Sequence, residues 1–170
     1  MMRLEDLGLV GNCQFAALIH ANGDVVWCCW PRLESEPIFG RLLDPEGGRF
    51  TVGPADESLG RQQYLDNTNV LETVFDAPGG RVRVIAFAPR FERHGRIYRP
   101  VQLIRIVEPV SGSPQIRVRC EPVLGWSKTQ PQMTPGSHHL QFAGHASDVR
   151  LTTDLPLSYL DGRAFSLPGR

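Results

Sequence analysis

Hydrophobic and polar residues alternate along much of this chain. The clearest run is 115–121, QIRVRCE, which would place Ile116, Val118 and Cys120 on one face and charged or polar residues on the other. Side chains of a β-strand point alternately to opposite faces, so a period of two predicts a half-buried strand. The segments 71–76 and 81–84 follow the same pattern.

The segment 101–107 has a different pattern. Its residues are apolar on both faces, with Gln102 and Arg105 as the exceptions. A strand that is buried on both faces shows such a continuous apolar run. This segment is therefore predicted to be a central strand of its sheet.

Turn residues separate these segments at short intervals. Asn22-Gly23 lies between 15–20 and 25–30, and Asn-Gly closes tight hairpins at low conformational cost. The alternation within this hairpin predicts that Trp27 lies in the core. Pro78-Gly79-Gly80 joins a second strand pair. Further strands are predicted at 49–52, 140–143, 149–153 and near Phe165.

About ten strands with hairpin links predict an all-β fold, an antiparallel two-sheet β-sandwich with little helix. One or two helical turns are expected at 36–43, where Ser35 is a candidate cap. The longest stretch with no strand pattern, 125–139, is predicted to be a loop.

Length and charge narrow the classes of function. The chain has 170 residues, and 18 basic residues balance 18 acidic ones, which disfavours a nucleic-acid partner. The longest apolar runs are too short for a membrane span, and residues 1–6 lack the apolar stretch of a secretory signal, so a cytoplasmic location is expected. The four cysteines form no Cys-x-x-Cys pair, which favours buried thiols with no metal or cofactor.

Three ordered blocks carry a resemblance to a known family. The first comprises Asp6, Gly11, Cys13, Ala16, Ala17, Leu18, Gly23, Trp27, Cys28, Pro31, Arg32, Ser35 and Phe39. The second is 63–73, QYLDNTNVLET, and the third is 104–108, IRIVE, followed by Gly112. Together they resemble the opening of bacterial-type glycoside hydrolase family 15 proteins, which include trehalase-like and glucoamylase-like enzymes.

The resemblance implies a non-catalytic N-terminal domain of the super-sandwich type. In that family, two catalytic glutamates lie on a C-terminal (α/α)6 barrel, and the segments that carry them are absent from these 170 residues. Residues 1–170 are therefore expected to form a single sandwich domain. The strand pattern still runs at Leu167, so the sandwich is expected to be truncated at its C-terminal end, whether naturally or as a fragment.

The sequence departs from the family pattern at several places. Asn12 stands where the family usually has Asp, and Leu33-Glu34 replace a Phe-Asp pair ahead of an additional Glu36. Trp126 stands where a Tyr-Gly step is usual. These changes put the family's usual contacts of the 31–37 loop in doubt.

Candidate site residues follow from the loop and from the aromatic residues. We expect Trp30, Arg32, Glu34, Ser35 and Trp126 to line the rim of an active site or an interface between domains. The planar guanidinium of Arg32 can bind a carboxylate or two hydroxyls, although a salt bridge to Glu34 or Glu36 is an equal alternative. The indole rings can stack on sugars, or they can pack in the core or at an interface.

No catalytic residue is expected in this chain. Glycoside hydrolysis needs two carboxyl groups that face each other across the substrate. Glu34 and Glu36 share one loop, and Glu72 and Asp76 share one strand face, so neither pair has that arrangement.

Three functions remain at this stage. The first is a domain that braces a catalytic (α/α)6 barrel and lines its active-site rim, in an enzyme that hydrolyses trehalose or another α-glucoside. The second is a carbohydrate-binding module that uses surface aromatics, and the third is a purely structural or assembly domain. An unpaired strand edge also predicts a homodimer of the fragment.

Overall fold

A computed structural model describes residues 3–169. Its largest element is a seven-stranded antiparallel sheet, here the first sheet, whose main path runs β1-β2-β3-β5-β12-β16, with β4 paired to β3. The strands are β1 (Leu7–Gly11), β2 (Ala16–His20), β3 (Asp24–Cys29), β4 (Pro37–Phe39), β5 (Arg49–Pro54), β12 (Gln115–Glu121) and β16 (Asp161–Ser166).

A four-stranded antiparallel sheet, the second sheet, packs on part of the first. Its order is β11-β8-β7-β6, with β6 (Arg61–Tyr64), β7 (Leu71–Ala77), β8 (Gly80–Phe87) and β11 (Ile104–Gly112). The smaller elements are a hairpin, β9 (Phe91–Arg93) with β10 (Arg96–Tyr98), and a three-stranded sheet of β13 (Gln132–Pro135), β14 (His139–Ala143) and β15 (Val149–Thr152).

The prediction of an all-β antiparallel sandwich with little helix is confirmed. In the described part of the chain, the helical residues form three short 3-10 turns, Leu4–Asp6, Gly125–Ser127 and Leu157–Tyr159. Within residues 3–169, no helix is long and apolar enough to cross a membrane.

The core lies between the two sheets, and alternation places its residues there. Phe15 and Ile19 belong to the first sheet and its turns, and Phe75 and Val82 to the second, and all four are buried. Burying apolar side chains is the main favourable contribution to folding, at roughly 25 cal/mol per Å² of area removed from water. The segments β7 and β8 therefore lie where their pattern predicts.

The hairpin of β2 and β3 is confirmed, and its turn is Asn22-Gly23. Gly23 has a positive φ of 88°, and a Cβ there would meet the backbone of Val52. The Asn22 side chain accepts a hydrogen bond from the Asp24 N–H at 3.1 Å, which fixes the turn.

The prediction that Trp27 lies in the core is wrong. Leu18 pairs with Trp27, but Ile19 pairs with Val25, so Val26 is an extra residue in β3. Such a β-bulge shifts the alternation by one residue and reverses the faces beyond it. Trp27 consequently lies half-buried on the outer face of the first sheet, while Trp30 packs against the core.

The prediction that 101–107 is a central strand is also wrong. β11 pairs with β8 on one side and is the last strand of the second sheet. Its outward residue Ile106 is exposed, and its inward residue Val107 and the preceding Leu103 are only partly buried. Both faces of β11 are thus apolar, but the other described residues bury neither face completely.

Two local predictions near the candidate loop also differ from the structure. Residues 37–39 form β4 and 41–43 form a turn, where a helix was expected. Pairing of β4 with β3 buries Ile38 and Phe39, which a short amphipathic helix would leave partly exposed. The stretch 125–139 contains β13, whose side chains are exposed and so show no alternation.

Candidate functional site

One end of the sandwich gathers several loops, and we call it the loop end. Ala17 pairs with Cys28, so the turn 12–15 and the loop 30–36 leave the first sheet at the same end. Arg49 pairs with Glu121, which brings the segments 40–48 and 122–131 to that end as well. The register of the sheet therefore assembles segments that are distant in sequence.

The loop 30–36 is a tight turn closed by hydrogen bonds. The Arg32 N–H donates to Ser35 Oγ at 3.3 Å, and the Ser35 N–H donates to the Arg32 carbonyl at 3.1 Å. The Arg32 guanidinium lies 3.5 Å from Glu34 Oε1, and both side chains are exposed. Three of the predicted residues, Arg32, Glu34 and Ser35, are thus close together, and Arg32 has the salt bridge that was the alternative to a ligand contact.

Trp30 lies apart from these exposed groups. Its ring packs edge-to-face on Phe15, with the centroids 5.0 Å apart, and contributes to the core. Edge-to-face aromatic pairs add stability beyond their buried area. Trp30 therefore supports the loop from inside and does not present its ring with Arg32.

Trp126 is the exposed aromatic residue beside the loop. It lies on the 3-10 turn Gly125–Ser127, its side chain is 63% exposed, and its ring is 6.0 Å from that of Trp27. Gly125 has a φ of 56°, and a Cβ there would collide with the Glu36 carboxylate. Close approach of a glycine thus brings Trp126 next to the end of the 30–36 loop.

Charged groups surround this turn. Lys128 forms an ion pair with Asp44, and its hydrogen bond lowers the pKa of the Asp44 carboxyl. Arg49 Nε lies 3.2 Å from Glu121 on the neighbouring strands. A cavity of about 350 Å³ lies between these pairs, and it is lined by Pro45, Glu46, Gly48, Arg49, Glu121, Lys128 and Gln130.

The acidic residues that the sequence offered as possible pairs are held mainly by ion pairs. Glu72 is buried, accepts a hydrogen bond from Gln63 at 2.8 Å and pairs with Arg83 at 3.3 Å. Asp76 pairs with Arg81, and Glu34 lies on the same short loop as Glu36. Across residues 3–169, no group of three or more His, Cys, Asp or Glu side chains could hold a metal ion.

Sequence reasoning did not identify two residues of this end. The first is Trp27, whose ring contacts that of Trp126. Only the bulge at Val26, which has no clear sequence signal, turns Trp27 outward.

The second is Asn12, which is buried and whose Nδ2 donates to the carbonyls of Pro89 and Pro100 at 2.9 and 2.8 Å. It thereby fixes both ends of the segment that carries the β9–β10 hairpin. The presence of Asn12 where the family usually has Asp was the sequence signal that could have identified this residue.

An exposed indole is suited to binding hydroxyl-rich ligands or another protein surface. Glycoside hydrolysis uses two carboxyl groups that face each other across the substrate, whereas Glu34, Glu72 and Asp76 each pair with an arginine.

Comparison with known proteins gives consistent matches. The family model described as "Trehalase-like, N-terminal" matches residues 1–154. The chain is 30% identical to the trehalase of Thermoplasma volcanium, over 96% of this chain and 26% of the relative. It is also 30% identical to the trehalase of Mycolicibacterium smegmatis, over 94% of this chain and 27% of the relative.

A trehalase from Sulfolobus acidocaldarius is 33% identical over 55% of this chain and 16% of its own length. No solved structure matches the chain. The chain thus spans about a quarter of the T. volcanium and M. smegmatis relatives, at 26% and 27% of their lengths. The family match over residues 1–154 shows that the chain belongs to the trehalase-like N-terminal domain family.

Proposed function

We propose that this chain is a non-catalytic domain of a trehalase-like glycoside hydrolase and that its loop end contacts the catalytic part of the enzyme. In this role the sandwich braces an (α/α)6 barrel, and Arg32, Glu34, Ser35 and Trp126 lie at the active-site rim. The substrate class is trehalose or a related α-glucoside. The proteins named trehalase, which align over most of the chain, support this proposal.

One structural observation carries the proposal. The exposed side chains of Arg32, Glu34 and Trp126 come from two separate segments, and Gly125 packs directly on Glu36 to hold those segments together. Arg and Trp are enriched in protein interfaces, and exposed aromatics also contact sugars. The loop end therefore presents side chains of the kinds that form contacts with proteins and sugars.

A chimeric trehalase tests the rim. The aligned part of this chain, 96% of its length, would replace the matching part of the T. volcanium trehalase. In this chimera, Arg32→Gln and Trp126→Ala should raise KM or lower kcat for trehalose by about tenfold, the effect of losing one charge-assisted or stacking contact. Arg163→Gln, at an exposed position on β16, is the control. Kinetics that stay unchanged in both loop variants would remove the loop end from the rim.

A carbohydrate-binding module is the second candidate, and one observation favours it. The Trp126 ring is exposed and lies 6.0 Å from the Trp27 ring, and sugars stack on exposed indoles of this kind. Isothermal titration of the isolated chain with trehalose and maltooligosaccharides separates this candidate from the first. Binding that is lost in Trp126→Ala would favour the module.

Self-association is a separate proposal. Strand β16 ends one side of the first sheet, and the chain exposes apolar side chains such as Leu33 near the loop end. Open edges and apolar surfaces favour pairing with another copy. Light scattering over a concentration series should show a dimer, and a monomer at high micromolar concentration would contradict it.

A further inference from the structure

A long cavity lies between the two sheets beyond the edge of the second sheet. Its volume is about 530 Å³, and we call it the trough. One wall consists of the consecutive residues 101–107 and the other of the consecutive residues 149–155. Its floor is apolar and comes from β3, β5 and β12, with Cys28, Phe50, Val52, Ile116, Val118 and Cys120.

The shape of the trough fits an extended chain. Residues 104–107 of one wall belong to β11 and 149–152 of the other to β15, so the strand-lined part of the cleft is about 13 Å long, at about 3.3 Å per residue. A compact ligand would contact scattered positions, whereas a strand contacts consecutive ones. The trough therefore accommodates about four residues of an extended chain between its strands.

The wall formed by β11 can pair with such a strand. β11 is bonded to β8 on one side and is the last strand of its sheet in the described part of the chain. An edge strand presents unpaired N–H and C=O groups, and added strands bind to such edges. An incoming strand at this edge would extend the second sheet over the floor made by β12.

Arg105 supplies a charge inside this apolar cleft. On β11 it pairs with the buried Ala86 and lies between the inward-facing Leu103 and Val107. Its two terminal nitrogens donate to the carbonyls of Phe50 and Val52 at 3.2 and 3.4 Å, and its guanidinium lies 5.2 Å from the centre of the Phe50 ring. Burial lowers the pKa of Arg105 to about 10.

One donor of Arg105 has no acceptor. Its Nε is buried and forms no hydrogen bond, and no carboxylate among residues 3–169 lies within ion-pair distance of the guanidinium. A buried charged donor without an acceptor costs free energy that a carboxylate would recover. Asp154, the acidic residue of the other wall, makes no ion pair with Arg105.

We propose that the trough binds an extended polypeptide strand that pairs with β11, places apolar side chains on the floor and brings one acidic side chain to Arg105. The occupant is a partner strand of alternating apolar and polar residues with a central Glu or Asp. The trough is separate from the loop-end contacts, so this inference does not rest on the proposed function.

Synthetic peptides test the proposal on the intact chain. The probe is an end-blocked nine-residue peptide of alternating Val and Thr with a central Glu, and the matched peptide has Gln in its place. Trp30 lines the trough, so its fluorescence reports binding. The Glu peptide should bind at least about tenfold more tightly than the Gln peptide, because a charge-assisted bond to Arg105 forms only with Glu.

Protein variants complete a cycle with these peptides. Arg105→Gln should remove the preference for Glu, and the exposed Arg93→Gln in the β9–β10 hairpin should retain it. If the melting curve shows that Arg105→Gln does not fold, the affinities of the Glu and Gln peptides for the unmodified chain test the proposal instead. A Glu peptide with Pro at alternate positions should lose binding, because Pro lacks the N–H that pairs with an edge.

Four results would overturn the proposal. The Glu and Gln peptides could bind equally, or neither could bind at millimolar concentration. Decanoate could displace the Glu peptide and bind as tightly, which would make the trough a site for small apolar acids. A dimer that dissociates on Arg105→Gln in sedimentation velocity would assign the trough to a second copy of this chain.

Discussion

The two halves of the sandwich differ in how completely they are covered. In the closed half, β6–β8 lie over β1–β5, and residues such as Val10, Phe75 and Val82 are fully buried. In the open half, β12 faces the trough, and Leu103 of the trough wall and Phe165 of the neighbouring β16 are only partly buried. The same alternation of residues thus produces a packed core on one side and a cleft on the other, because covering depends on strands elsewhere in the chain.

Truncating one phenylalanine in each half should give the largest difference. Phe75→Ala removes a side chain with no exposure and should lower the free energy of unfolding by about 3–5 kcal/mol, through lost burial and a cavity. Phe165→Ala, at a partly buried position stacked on Tyr159, should cost only about 1–2 kcal/mol. Urea denaturation measures both. Equal losses would mean that the open half is packed as well as the closed half.

The two neighbouring tryptophans test the bulge that separates the inner from the outer face. Trp30→Ala removes the ring that packs on Phe15 and should cost about 3 kcal/mol. Trp27→Ala should cost about 1–2 kcal/mol, since this ring is half-buried on the outer face. Thermal melting compares them, and a larger loss for Trp27 would contradict the register of β3.

Asn12→Asp should weaken the closed half in a pH-dependent way. The Asn12 amide donates to two carbonyls, and an ionised carboxylate there would face both oxygens without a proton to donate. The expected cost at pH 7 is about 2–3 kcal/mol. The native state would favour the protonated acid, so the variant should be least destabilised at low pH and lose stability as the pH rises.

Asn12→Ala provides the control for this pH dependence. It also loses both hydrogen bonds but cannot titrate, so its cost should be the same at pH 4 and pH 7. Urea denaturation at the two pH values gives the comparison. An Asp variant that follows the Ala variant at both pH values would show that the carboxylate reaches water.

Thiol labelling gives the smallest effect and reports how accessible the floor of the trough is. Burial raises the pKa values of Cys28 and Cys120 to about 12, so both react slowly at pH 8. Cys13 is exposed and should react first. Cys28 and Cys120 both lie on the floor of the trough, and Cys120 is the less buried of the two, so it should react second. Mass spectrometry after timed labelling gives the order, and labelling of Cys28 before Cys120 would contradict this order of burial.

Local sequence signals were sufficient for the hairpins and for the fold class. Asn22-Gly23 and Pro78-Gly79-Gly80 mark turns by their own conformational preferences, and the alternation in 115–121 matches β12. The edge position of β11 in its sheet could not be predicted from such local signals. Its apolar residues show that both faces avoid water, but they do not show what covers them.

The candidate site was predicted in part for a similar reason. Arg32, Glu34 and Ser35 are close in sequence, so their grouping in one turn follows from the loop itself. The contact between Trp27 and Trp126 depends on the bulge at Val26 and on the packing of Gly125 against Glu36. Neither feature has a signal in a single sequence.

A glucose-release assay on trehalose tests the central claim most directly, with the isolated chain and the T. volcanium chimera measured side by side. The account predicts no turnover by the chain, in which Glu34, Asp76 and Glu72 are each paired with an arginine, and trehalose hydrolysis by the chimera. Sustained turnover by the chain alone, abolished by Glu34→Gln or Glu72→Gln, would contradict a non-catalytic domain. A folded chimera without activity would contradict the bracing role.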